Sequence, residues 1–204
     1  MKISDNVERI DGTMANSYFI DINGEKIIID AGTPVSGKKI VAYLEDKKIK
    51  PDAVLITHYH PDHVGGLLSL YSRYRMDIYV PGEEASIISG MEKMPSKPFM
   101  PKLASMIMQA KHVKEIKSVS ELALKGIEPL QTPGHTRGST SYIFAGENII
   151  FSGDAAVNIR GKPGYNRAFS VDSRIAEKSL EQIQSLHYLI LPGHGNMMDF
   201  RNSV

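Results

Sequence analysis

The chain has 204 residues, with 24 Lys and Arg against 23 Asp and Glu, a formal charge of +1 and no cysteine. The length suits a single domain over 1–204 with at most a modest insertion, and the balanced charge gives no overall field for drawing in nucleic acid or an anionic membrane. The missing cysteines exclude disulfides, Cys-based zinc fingers and thiol nucleophiles.

The N-terminal MKISDNVERIDG has no apolar core of the kind a signal peptide needs, and no apolar run reaches the length of a membrane span. The expectation is a cytoplasmic protein with a small-molecule substrate, no nucleic acid and no membrane partner, its homo-oligomeric state left open.

Ser17 to Asp21 and Lys26 to Asp30 are β-rich runs joined by Asn23-Gly24, which predicts a hairpin. Gly32, Thr33 and Pro34 then break the chain. Ile40, Val41, Leu44 and Ile49 share a helical face over about Ser36 to Lys48, and Pro51-Asp52 stops that helix. Ala53 to Thr57 is apolar on both faces, as a buried strand is. A helix is predicted from His63 through Leu67, Leu68 and Leu70 to Tyr74. A strand follows at Ile78 to Val80, and then a helix opened by Pro81-Gly82 and ending near Gly90.

From Met91 to about Val113 the texture changes, with Pro95, Pro98, Pro101 and five of the ten Met. This segment, 91–113, is too short to own a core. It is either a lid or insertion over a site or a surface helix packed by a Met-rich face. Strands are expected at Ile127 to Thr132, Ser139 to Phe144 and Ile149 to Phe151. A helix follows over Asp172 to His187, with Asp172 or Ser170 as its N-cap, and Tyr188 to Leu191 is the last strand. Strand runs with helices between them, in two similar halves, point to two packed sheets with helices outside.

Five of the seven His sit in three compact loops, each following a strand. In Thr57-His58-Tyr59-His60-Pro61-Asp62-His63, His58 and His60 lie two apart at a strand end, so both rings can point the same way. Asp62 and His63 follow the turn at Pro61 and can face the same place from another side. Imidazoles with carboxylates suit Zn, Fe, Mn or Co. Three His and one Asp within six residues exceed what one tetrahedral ion uses while keeping an open position, which argues for two metals. His135, Asp154 and His194 arrive later, each beyond a β-run and beside a Gly. His112 and His187 stand apart from these loops and read as ordinary structural or surface residues.

The HxHxDH run, followed in order by Gly134-His135, Gly153-Asp154 and Gly193-His194, resembles the metallo-β-lactamase superfamily from about Asn16 to Gly195. The resemblance implies an α/β fold, a four-layer αββα sandwich with the metal site at one edge of the two sheets. It implies His58, His60 and His135 on one metal, Asp62, His63 and His194 on the other, and Asp154 bridging. The cofactors would be two divalent ions, Zn first, with Fe or Mn as alternatives. The activity implied is a dinuclear hydrolase that uses a bridging hydroxide on an ester, thioester or lactone carbonyl. Asp62 is its catalytic candidate, as an acceptor that orients the hydroxide.

Within that superfamily Asp154 departs from true β-lactamases, which usually carry Cys or Ser there. The pattern is most similar to small hydroxyacylglutathione hydrolase-like (type two glyoxalase-like) enzymes. Their glutathione-binding helical C-terminal region has no counterpart in the ten residues after His194. The alternative is a persulfide dioxygenase using one iron on His58, His135 and Asp154. A phosphodiesterase or nuclease is a minor alternative. Asp30 either accepts the free N–H of a ligating His or simply forms the turn before Ala31-Gly32. Arg160, Lys162, Tyr165 and Arg167 after Asp154 either contact an anionic substrate or form a solvated basic loop.

Overall fold

In the computed structural model of the chain, residues 1–95 and 112–201 are described. Most of the segment expected as a lid or insertion over 91–113 therefore lies outside the described residues. Val7–Ile10 (β1), Ser17–Ile22 (β2), Glu25–Ile29 (β3), Ala53–Leu55 (β4), Asp77–Val80 (β5) and Lys117–Ser118 (β6) lie side by side in that order. The first three form an antiparallel meander, and from β3 onward the pairing is parallel. Asn23 and Gly24 both take positive φ (54° and 89°) at the β2–β3 turn, the conformation a tight hairpin requires.

Parallel neighbours need crossovers, and helices supply them. Pro34–Asp46 (α1) joins β3 to β4, while Pro61–Val64 (α2) and Leu67–Tyr74 (α3) lie between β4 and β5. Thr33 caps α1, its hydroxyl accepting from the Ser36 amide at 3.1 Å, and Pro34 occupies the first turn, where its missing N–H costs nothing. Beyond β5, a 3-10 turn at Gly82–Glu84 leads into the short helix Ala85–Ile88 (α4).

The second sheet contains Glu128–Gln131 (β7), Thr140–Phe144 (β8) and Ile149–Gly153 (β9). A separate hairpin, Val157–Ile159 (β10) with Lys162–Gly164 (β11), follows them. Ser173–Ser185 (α5), capped by the Asp172 side chain, then carries the chain to Leu189–Pro192 (β12) and Met198–Asp199 (β13). The order is β13-β12-β9-β8-β7, with β12 parallel to β9.

Side-chain alternation along the strands sorts the core into layers. Ile27 and Ile29 point between the sheets, with Tyr18, Ile20 and Leu55, against Tyr142, Phe144, Phe151, Leu189 and Leu191. Ile28, with Val54, Ile56 and Ile78, points outward onto Ile40 and Leu44 of α1 and Leu67 and Leu70 of α3. On the far side Ile150 and Ile190 meet Ile183 of α5. Each such fully buried side chain contributes about 1.5–3 kcal/mol relative to exposure. The result is the helix–sheet–sheet–helix sandwich expected from the sequence. Among the described residues no helix is long and apolar enough to cross a membrane.

Three expectations need correction. The helix foreseen from His63 to Tyr74 is two helices, interrupted at Gly65-Gly66, where the Gly66 amide donates to the Gly32 carbonyl at 2.9 Å. The helix foreseen after Pro81 is a 3-10 turn plus one short helical turn. The segment after Asp154 is a hairpin rather than a loop. β1, β6 and β13 were not anticipated; they are short edge elements of weak alternation.

The two sheets are tied flush at one edge. Thr140 N donates to Thr57 O at 3.0 Å, Tyr142 Oη to Ile56 O at 2.7 Å and Tyr18 Oη to Pro192 O at 2.7 Å. The C-terminal ends of β3, β4, β7, β9 and β12 meet there.

The close approach of α1 to the Gly65-Gly66 break depends on missing side chains. A Cβ on Gly66 would strike the Ala31 carbonyl and come within 2.6 Å of the Gly37 Cα. Gly66→Ala is therefore expected to cost about 1–3 kcal/mol. For a chain of this size that lowers the thermal midpoint of the metal-free protein by about 2–10 °C. An unchanged midpoint in calorimetry would show that α1 can part from this break freely.

Candidate metal centre

Beyond β4 the chain bends at Thr57 and runs on to His60, and Pro61 then fixes the first turn of α2. Tyr59 enters the apolar layer beneath the helices, while His58 and His60 lie together at the site. Asp62 and His63 are presented by α2. His135 follows Gly134 (φ 122°), in a loop pinned by Val171 N to His135 O at 3.1 Å and Asp172 N to Gly134 O at 3.0 Å. Asp154 follows Gly153 (φ 50°) at the end of β9. His194 follows β12, in a loop held by Asn16, whose amide side chain donates to Pro192 O at 2.9 Å and Gly195 O at 2.8 Å.

All seven side chains singled out in the sequence converge at this edge, in two groups: His58, His60, His135 and Asp154, and then Asp62, His63 and His194. His60 Nδ1 lies 3.0 Å from His58 Nε2 and 2.9 Å from His135 Nε2. Asp154 stands between the groups. Its Oδ1 is 3.5 Å from His63 Nε2, while its Oδ2 is 3.5 Å from His135 Nε2 and 3.6 Å from His194 Nε2. Asp62 Oδ2 is 3.1 Å from His194 Nε2. The open side is at His194, whose side chain is 38% exposed against 0% for His63.

Asp30 governs which ring nitrogens face inward. It is buried and in the left-handed region (φ 58°), and it accepts from Thr57 N at 2.8 Å, Thr57 Oγ1 at 2.8 Å and His63 Nδ1 at 2.7 Å. Because the Thr57 hydroxyl donates to Asp30, it can only accept from His58 Nδ1, 3.0 Å away. His58 Nδ1 and His63 Nδ1 thus carry protons directed away from the centre, which leaves the Nε2 of each ring to face the shared space.

The electrostatics suit cations. Burial, with the His63 and His60 rings adding to it, holds His58 well below the usual imidazole range. Burial and the His135 ring pull His60 down to about 3. Burial opposes charge on His63 too, yet the carboxylates of Asp30 and Asp154 outweigh it and hold that ring well above its usual value. Burial likewise opposes charge on Asp154 and Asp62. The His63, His135 and His194 rings around Asp154, and the His194 hydrogen bond on Asp62, keep both below the usual carboxylate range.

These residues fit metal ions. His63 Nε2 and Asp154 Oδ1 are buried polar atoms with no hydrogen-bond partner among the described residues, and such atoms mark a place for a ligand. Neutral imidazole with carboxylate is a set for Zn, Fe or Mn. Gly193 keeps the space open, since a Cβ there would strike Asp154 Oδ1 and come within 2.7 Å of His63 Cε1.

Other sequence candidates lie elsewhere. Arg160, Lys162 and Arg167 are exposed and Tyr165 half-buried, on or just after the β10–β11 hairpin. Among the described residues none of the four bonds to the His/Asp groups. The hairpin root does touch the His194 loop, through Asn158 N to His194 O at 3.4 Å. His112 binds the Ile88 carbonyl at 3.0 Å and His187 is exposed, and neither joins a group. Thr57, Glu84, Asn16 and Gly193 shape the site without having been singled out in the sequence, and Gly193 alone had a local signal, its place beside a candidate ligand.

Replacing Asp30 with Asn would turn a double acceptor into a group that also donates, against three donors. The expected loss is about 10–100-fold in zinc affinity, read by chelator competition. Unchanged affinity would leave Asp30 a turn residue only.

A family model for the metallo-β-lactamase superfamily matches residues 10–194. The chain is 28% identical over 188 residues to the probable metallo-hydrolase YqgX of Bacillus subtilis, covering 91% of this chain and 87% of that one. It is 31% identical over 162 residues to the hydroxyacylglutathione hydrolase of Nitrosomonas eutropha, covering 78% of this chain but only 52% of that relative, about half its length. A solved structure described as TTHA1623 in a di-iron-bound form shares the fold with a TM-score of 0.74 at 24% identity, over 95% of this chain and 94% of the other. The family match, spanning the sandwich and ending on the last of the converging histidines, shows that this chain belongs to the metallo-β-lactamase superfamily.

Proposed function

We propose that the chain is a two-metal hydrolase acting on an ester, thioester or lactone carbonyl. The observation that carries this is the position of Asp154, which reaches both groups: Oδ1 lies 3.5 Å from His63, and Oδ2 lies 3.5 Å from His135 of one group and 3.6 Å from His194 of the other. His58, His60 and His135 would hold one ion, Asp62, His63 and His194 the other, and Asp154 would serve both. Two divalent cations bound there supply a water nucleophile at neutral pH and polarise the carbonyl under attack.

The protein's own part is to aim and to accept. Asp62 is held ionised by His194, so its carboxylate is a ready acceptor for a proton of the attacking water. Asp30 and Thr57 engage Nδ1 of His63 and His58, so Nε2 of each ring is the atom left to meet an ion. The convergence of a second group of side chains favours this reading over a single-iron persulfide dioxygenase on His58, His135 and Asp154, which leaves Asp62, His63 and His194 without a task. The likeness to a hydroxyacylglutathione hydrolase puts thioesters first among substrates. Zinc is the ion to try first, before iron or manganese.

Elemental analysis of purified protein is expected to find about two ions per chain. Asp62→Asn is expected to lower kcat on the best of a thioester, lactone and phosphodiester panel by about 10²-fold or more. Close to one iron per chain, with oxygen uptake on a persulfide, would replace the hydrolase reading by the dioxygenase.

We further propose that the β10–β11 hairpin meets an anionic part of the substrate through Arg160, Lys162, Tyr165 and Arg167. Its support is the junction with the His194 loop beside the open side of the site. Arg160→Ala, Lys162→Ala and Tyr165→Phe are expected to raise KM for an anionic thioester with kcat little changed. An unchanged KM in all three would remove the hairpin from the pocket.

A further inference from the structure

Glu84 is a buried carboxylate, 1% exposed, in the 3-10 turn that follows β5. Burying such a group without a partner is expensive, and among the described residues no cation pairs with it. Its partners are instead three donors from two distant loops. Tyr59 N donates to Oε2 at 2.6 Å, Gly138 N to Oε1 at 2.9 Å, and the Thr136 hydroxyl also donates to Oε1. The Thr136 amide and hydroxyl are joined in turn to Ser139 Oγ, at 3.0 and 2.7 Å. Gly138 lies so close that a Cβ there would sit 2.7 Å from Glu84 Cγ.

The placement of those donors is selective. Tyr59 is the residue between His58 and His60, and Thr136 is the residue after His135. Glu84 therefore clamps the backbone of the two loops that carry His58, His60 and His135. None of its donors belongs to α2 or to the His194 loop, which carry Asp62, His63 and His194. Burial pushes the carboxyl up to about 7, against the pull of its three donors.

We propose that Glu84 is a positioning residue that keeps His58, His60 and His135 in register as one cation site, separately from the site of Asp62, His63 and His194. This rests on the two-metal reading above. It assigns a role to a side chain that touches no ligand ring and acts through main-chain amides and one hydroxyl on the facing side of the ligand loops.

The test is a double-mutant cycle read by zinc binding rather than turnover. Metal-freed protein is titrated with zinc against a chromophoric chelator, and thermal midpoints are taken in parallel. Glu84→Gln is introduced into the wild type, into His194→Ala, which cripples the second site, and into His58→Ala, which cripples the first. The expected result is a loss of about 10–100-fold in affinity for the ion left in the His194→Ala background and none in the His58→Ala background. Equal losses in both backgrounds, tracking a lowered midpoint, would make Glu84 a general stabiliser and overturn the proposal, as would no loss in either.

If Glu84→Gln does not fold, Thr136→Val removes one donor while leaving the carboxylate and is read in the same two backgrounds, with the same pattern expected at smaller size. Its failure to discriminate between them would equally overturn the proposal. A wild-type protein that takes only one zinc would break the two-metal reading by itself. That outcome is distinct, because it appears before any substitution at Glu84.

Discussion

Asp30 sits at the end of β3 with 1% of its surface exposed, and three donors converge on its two oxygens. A carboxylate taken out of water demands such company, and meeting that demand here organises everything around it. Thr57 is drawn in by amide and hydroxyl together, which fixes the exit of β4. His63 is drawn in by one ring nitrogen, which fixes the rotation of α2. With its hydroxyl proton committed to Asp30, Thr57 can only accept from His58. One side chain on the first sheet thereby decides which nitrogen of two rings on separate elements faces inward. The left-handed backbone of Asp30 is a conformation few non-glycine residues take, and strain of this kind persists where surrounding contacts over-determine it.

Close approach is the second theme. The αββα layers bring loops from both sheets to one edge, where several glycines mark contacts that side chains would forbid. Gly66 lets α1 lie against the break between α2 and α3, and Gly193 leaves room for Asp154 and His63 to face one another. These are different uses of the same property. The first concerns packing of helices on the sheet, and the second keeps polar atoms from being shut off from each other. Glycine at these points is thus a steric requirement, with backbone freedom secondary, since neither position takes a positive φ.

What the sequence revealed and what it hid follow from how local each signal is. The HxHxDH run was legible because spacing, residue chemistry and the turn at Pro61 all lie within a few positions. His135, Asp154 and His194 became legible only together, each being an ordinary loop residue alone. The Ala53 to Thr57 run announced a strand buried on both faces, and the layered cores bear that out, with Val54 and Ile56 in one and Ala53 and Leu55 in the other. The split at Gly65-Gly66 was hidden because the groups that meet it, the Gly32 carbonyl and Gly37, lie about thirty positions earlier in the chain. The hairpin after Asp154 was hidden because its strands are three residues long and hold Pro163 and Gly164. Glu84 gave no sign at all. Its donors are amides and a hydroxyl 25, 52 and 54 positions away, and no residue pattern encodes them.

The parallel pairing of β12 with β9 bears on how the molecule comes into being. β9 ends at Gly153, just before Asp154, but its neighbour arrives only after the hairpin and the whole of α5 have been made. Contacts between such distant segments form late and slowly, because the intervening chain must first be ordered. A growing polypeptide can present His58, His60, His63 and His135 well before His194 exists. Metal met during synthesis would find an incomplete, more exposed set of donors, and the centre closes only when the penultimate strand slots in. Were metal bound there, full occupancy would also report that β12 has joined the sheet beside β9.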